Sequence, residues 1–123
     1  MAVNLSGTWL GTYWQSTYPT RFEMSLVQGE NTLSGRISDD GPLGEASLTG
    51  EVIGSRITFT KRYLVGARHA IAYGGDVAVE GNYMHGQWAL GTDSGTWEAH
   101  RSDDNLSLNL EIRQAAKIPA GVV

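Results

Sequence analysis

Ser-Gly-Thr-Trp occurs twice in this chain, at Ser6–Trp9 and again at Ser94–Trp97, with only strand-like sequence between. A sheet that rolls into a barrel must pair its first strand with its last, because closure alone removes the exposed edges that invite aggregation. Two similar end strands, each with glycine for close backbone approach and tryptophan for core volume, suit that seam.

The sequence between the repeats supports the same architecture. Apolar and polar residues alternate in short runs, the mark of a half-buried strand. Strands are expected near Gly7–Trp14, Arg21–Gln28, Thr32–Ser38, Ala46–Ile53, Arg56–Leu64, His69–Gly74, Asp76–Tyr83, Gly86–Leu90 and Gly95–Arg101. Turn residues separate them at Gly29-Glu30-Asn31, Asp39-Asp40-Gly41-Pro42, Gly54-Ser55, Gly66 and Asp93. Breaks this short favour hairpins, since parallel pairing needs long crossovers. The expected fold is all-β: a single antiparallel up-and-down meander barrel of about eight strands. An apolar-x-Gly-x-apolar frame recurs at Leu33–Ile37, Leu48–Val52 and Val79–Tyr83, with glycines where a small barrel bends its strands.

The barrel is expected to occupy residues 1–101 and a C-terminal extension residues 102–123. Ser102-Asp103-Asp104-Asn105 reads as a linker, and Ile118–Val123 as a loose tail. Between them Leu106, Leu108, Leu110 and Ile112 alternate with polar residues, as in a further strand. A closed barrel has no seat for it, so it is expected to cross the barrel, cap one end or pair with another subunit as a homo-oligomer.

Composition narrows the function classes. At 123 residues the chain makes one domain, and an apolar fraction of 41% suits a packed core. The formal charge of −4 comes without a basic run, which argues against nucleic acid as a partner. No apolar stretch approaches the roughly 20 residues that span a bilayer, and the start lacks a secretion signal, so no membrane partner and a cytoplasmic location are expected. There is no cysteine to supply a disulfide, a thiolate nucleophile or a metal ligand. No Ser-His-Asp order, phosphate loop or HExxH motif is present, and no cofactor or metal is expected.

Parity from Trp9 turns Gly7, Trp9, Gly11 and Tyr13 inward, with Phe22, Met24 and Leu26 on the next strand. Further along, Ile57, Phe59, Lys61 and Tyr63 share one face. A lysine inside a barrel needs a counter-charge, a ligand or water, because an unpaired buried ammonium is costly. The alternative is a rim position from which Lys61 snorkels to solvent, or a bulge that flips the parity. A symmetric turn near Val65-Gly66 would set Tyr63 opposite His69, Lys61 opposite Ile71 and Phe59 opposite Tyr73. Lys61, Tyr63, His69 and Tyr73 then form one wall, faced by Tyr13, Tyr83 and Trp88. An apolar pocket with a few polar groups is the usual form of a small-molecule site, although tyrosines in a barrel also serve as core with satisfied hydroxyls. His85 and His100 fall on the surface or rim, and Asp39, Asp40, Asp103 and Asp104 read as solvated turn residues.

Gly7-x-Trp9 on the first strand, answered by Arg101 after the last tryptophan strand, resembles the calycin barrels, which include lipocalins and avidin-like proteins. Leu5-Ser6-Gly7-Thr8-Trp9, Leu33-Ser34-Gly35, Leu48-Thr49-Gly50 and Gly86-Gln87-Trp88-Ala89-Leu90 are similar to streptavidin and avidin strands. The resemblance implies a hollow, ligand-sized interior. Leu10-Gly11-Thr12 follow the first tryptophan where that family carries Asn and Ser contacts to biotin, so it does not imply biotin. A second, weaker resemblance, at Gly7-Thr8-Trp9-x-Gly11 and Tyr18-Pro19-Thr20, is to nitrobindin-type haem barrels. Their axial histidine would map to His100, which parity does not place inside.

Three functions remain open from the sequence. The first is a binding barrel for a partly apolar, anionic or carbonyl-bearing small molecule, oriented by Lys61 and nearby tyrosines. The second is a cofactor-free isomerase or cyclase in the same cavity, with Lys61, His69 or a tyrosine supplying a proton. The third is a structural barrel without ligand.

Overall fold

A computed structural model describes residues 4–40, 44–65 and 69–102. They form eight strands: β1 (Gly7–Gln15), β2 (Tyr18–Gly29), β3 (Thr32–Asp39), β4 (Glu45–Ile53), β5 (Arg56–Tyr63), β6 (Ala70–Val77), β7 (Tyr83–Leu90) and β8 (Asp93–Arg101). Each pairs antiparallel with its sequence neighbour, and β1 pairs with β8 to close the barrel. The two Ser-Gly-Thr-Trp segments lie at the beginnings of the strands that form this seam, with Trp9 opposite Arg101 and Tyr13 opposite Trp97. Among the described residues no helix is long and apolar enough to cross a membrane. The expected strand at Leu106–Ile112 and the tail at Ile118–Val123 lie outside the described residues.

The meander follows from tight turns. Only two residues separate paired strand ends at Ser16-Thr17, Glu30-Asn31, Gly54-Ser55 and Gly91-Thr92. The first residues of these pairs all have φ between 56° and 62°, which suits the strand-matched twist of two-residue hairpins.

One expected strand is absent. Asp76–Tyr83 is not a separate element: β6 runs through Gly74-Gly75 to Val77, and the chain turns through Gly81 before β7 starts at Tyr83. Gly75 lies opposite Gly86, and a Cβ on Gly86 would run into the Gly74 carbonyl and the Gly75 Cα. The glycines that resemble a strand break instead let β6 and β7 pack closely. Val79 is 97% exposed, so the Val79–Tyr83 frame belongs to a turn. The other two frames hold, with Leu33, Ile37, Leu48 and Val52 buried.

The interior is graded along the barrel axis. One end is plugged: Leu5 and Trp9 are fully buried, and the Arg101 guanidinium covers the Trp9 ring at 4.7 Å. Arg101 also donates to the carbonyls of Asn4, Ser6 and Gly81 at 2.8–2.9 Å, tying the first strand's approach to the β6–β7 turn. In the middle Phe59 stacks on Tyr73 at 4.8 Å, and Trp97 meets both edge-on. The buried indoles donate to backbone carbonyls: Trp9 to Leu5, Trp88 to Trp14 and Trp97 to Gly74. This removes the cost of burying an N–H. The polar residues of the interior collect at the opposite, open end.

Candidate functional site

Strand parity delivers Lys61 to the interior. On β5 the buried residues are Ile57, Phe59, Lys61 and Tyr63, and Lys61 is wholly inaccessible to solvent. The register sets Lys61 opposite Ile71 and Phe59 opposite Tyr73, as the symmetric hairpin predicts. Alternation on β3 likewise buries Leu33, Ile37 and Asp39. Asp39 is therefore an interior carboxylate and not a solvated turn residue. It was legible through its parity with Leu33 and Ile37, but the adjoining Asp40-Gly41-Pro42 turn signal obscured it.

The Lys61 Nζ donates to both Asp39 carboxylate oxygens at 2.9 Å. The Tyr63 hydroxyl donates to Asp39 Oδ2, and the Tyr13 hydroxyl donates to the same oxygen at 3.1 Å. The Tyr73 hydroxyl accepts a long contact from Lys61 at 3.5 Å. Around the ammonium stand the rings of Tyr13, Tyr63 and Tyr73, with centroids 4.6, 4.8 and 5.7 Å away. Every buried side-chain nitrogen and oxygen among the described residues has a partner.

Burial pushes the Lys61 pKa below that of a free lysine, while the Asp39 carboxylate pulls it back up. Burial also raises the Tyr63 and Tyr73 phenols well above their ordinary range, and the nearby Asp39 charge adds to this by disfavouring a second anion. Tyr13 shifts up mainly from burial. Lysine and aspartate neutralise each other, and all three phenols keep their protons.

Beyond this network a cavity of about 90 Å³ opens towards solvent, lined by Tyr13, Gln15, Tyr63, His69, Ile71, Tyr73, Trp88 and Leu90. Six expected site residues thus converge: Tyr13, Tyr63, His69, Tyr73 and Trp88 line the cavity, and Lys61 lies behind the tyrosines. His69 is exposed at the mouth. Tyr83 lies elsewhere, on the outer wall, where it packs on His85 and His100 and donates to Glu98 at 3.1 Å. Because β7 begins at Tyr83, the inward position falls to Met84, which is fully buried. His85 and His100 are exposed, as expected. Two larger hollows, near 400 and 420 Å³, are open grooves beside Leu10 and Thr49; Asp39 borders the first, Tyr73 the second, and Lys61 neither. Among the described residues no group of three or more His, Asp or Glu could hold a metal ion.

No family model matches this chain, and no curated protein matches it. Among solved structures it is similar to a redesigned beta barrel, with a TM-score of 0.66 and 14% identity, covering 80% of this chain and 92% of that one. The described residues therefore form an eight-stranded, closed, antiparallel meander barrel, and at this identity the likeness concerns the fold alone.

Proposed function

We propose that this barrel is a small-molecule binding module that takes a partly apolar, carbonyl-bearing ligand head first into its open end. The observation that carries the reading is the placement of the polar network. A buried ion pair contributes little net stability compared with apolar packing, yet here one lies behind an aromatic-lined, solvent-facing cavity while the other end is plugged by Trp9 and Arg101. The sequence resemblance of Gly7-x-Trp9 and Arg101 to calycin barrels supports the same reading. A cavity of about 90 Å³ is small beside the roughly 300–1,000 Å³ of drug-sized sites. Only a head group enters, and the rest of the ligand rests at the mouth among Trp88, Gln15 and His69.

That same small volume favours a second reading, a structural barrel filled by its own side chains. Protein-observed NMR with a panel of small aromatic carbonyl compounds separates the two. Binding at the open end shifts the Trp88 indole N–H resonance and leaves the Trp9 indole in place as an internal control. If no compound moves Trp88 up to its solubility limit, and native mass spectrometry of freshly purified protein shows no bound mass, the filled barrel is correct.

A further inference from the structure

We propose that Asp39 is the specificity determinant of the open-end site, making it select neutral amide or carbonyl head groups and reject carboxylates. This rests on the binding function proposed above and adds the chemical class of the ligand. A lone interior lysine would suit an anion, as the sequence suggests. Asp39 reverses that expectation in two ways. It cancels the Lys61 charge, with both carboxylate oxygens on the ammonium. It also takes up the hydroxyl protons of Tyr13 and Tyr63, since an ionised carboxylate can only accept.

Tyr13 and Tyr63, which line the cavity and whose oxygens lie 3.5 Å apart, are thereby committed as donors to Asp39, and what their oxygens offer an incoming ligand is lone pairs. Tyr73 is the complement. Its oxygen accepts from Lys61, and among the described residues its own proton has no acceptor. The cavity therefore presents acceptors from Tyr13 and Tyr63 and one donor from Tyr73. A primary or secondary amide matches that set, with its carbonyl on Tyr73 and its N–H on a phenol oxygen. A carboxylate has no proton to give, finds one donor and two opposing lone-pair surfaces, and loses its hydration without a compensating charge.

Benzamide and benzoate test this, because they are nearly isosteric and differ in charge and in donors. Titrations followed at the Trp88 indole resonance, at fixed ionic strength, should show benzamide binding at least tenfold tighter than benzoate. Asp39→Asn removes the charge that cancels the ammonium and leaves a single acceptor oxygen for three donors, Lys61, Tyr13 and Tyr63, and should raise benzoate affinity at least tenfold. Equal or tighter binding of benzoate by the unaltered protein would overturn the inference and leave the binding function standing. Binding of neither probe would remove both. A folded Asp39→Asn protein that gains no affinity for benzoate would show that Asp39 is not the determinant. Should that variant fail to fold, Lys61→Met supplies the second arm: the carboxylate stays while the cation goes, so the preference for benzamide must persist or grow, and a shift towards benzoate overturns the inference.

Discussion

Removing either partner of the buried ion pair should destabilise the protein, but by unequal amounts, because the two charges keep different company. Lys61 has Asp39 and one long contact to Tyr73. Asp39 has Lys61 and two hydroxyl donors, Tyr13 and Tyr63. Asp39→Asn leaves the ammonium one amide oxygen and the Tyr73 hydroxyl but no counter-charge, and its expected cost is about 3–5 kcal/mol, the range for breaking a buried pair. Lys61→Met keeps most of the stem volume and leaves a carboxylate still held by two phenols. Its cost should be smaller, about 1–3 kcal/mol, the penalty for a buried group that is partly satisfied. The double variant removes the charge imbalance and should lie above the additive expectation by about 1–3 kcal/mol. Equilibrium urea unfolding monitored by tryptophan fluorescence measures all three, with a constant m-value as the check on two-state behaviour. If Lys61→Met costs as much as Asp39→Asn, or if the two effects simply add, the network does not hold charge as described.

Alkaline pH tests the phenols. A tyrosine raised above its ordinary 10.0 stays protonated in the folded barrel while the unfolded chain ionises, so stability falls as pH rises past that value. Lys61 acts in the opposite sense. Its lowered pKa means that the folded state sheds the proton first, so its unfavourable contribution shrinks as pH approaches 10.5. With Tyr13, Tyr63 and Tyr73 against one lysine, net stability should drop above pH 10, and Tyr63→Phe should shallow that drop; an unchanged slope in urea titrations across this range would count against the assignment. At the plugged end, Trp9→Ala should cost about 3–5 kcal/mol, as large aromatic truncations in cores do, and an unchanged melting temperature would contradict the role given to Trp9 in closure. Gly86→Ala should prevent native pairing of β6 with β7, seen as loss of near-ultraviolet circular dichroism. Gly54→Ala, in open space at φ 61°, should cost only about 1–2 kcal/mol; a native spectrum for Gly86→Ala would refute the close approach of those strands.

Much of the barrel was legible because alternation is a local rule that burial enforces one strand at a time. Ile57, Phe59, Lys61 and Tyr63 declared a shared face, and the hairpin register followed once Phe59 met Tyr73. The rule failed where a strand boundary was misjudged. Gly74-Gly75 reads as a break when seen alone, and a boundary placed there carries Tyr83 to the wrong face. Only the approach of Gly86 from the neighbouring strand explains why the glycines belong inside β6.

The amino-acid sequence by itself determined the strand count to within one, the closing seam between the two strands that carry Ser-Gly-Thr-Trp, and an inward lysine, because each depends on patterns a few residues long. Only the tertiary structure decided what that lysine meets and how much room remains beside it. Asp39 and Lys61 lie 22 residues apart on strands that are not hydrogen-bonded neighbours, and it is the curvature of the closed sheet that brings their side chains together. The cavity of about 90 Å³ is likewise what remains after side chains from all around the barrel have packed, a volume set by their mutual fit and not by any single strand.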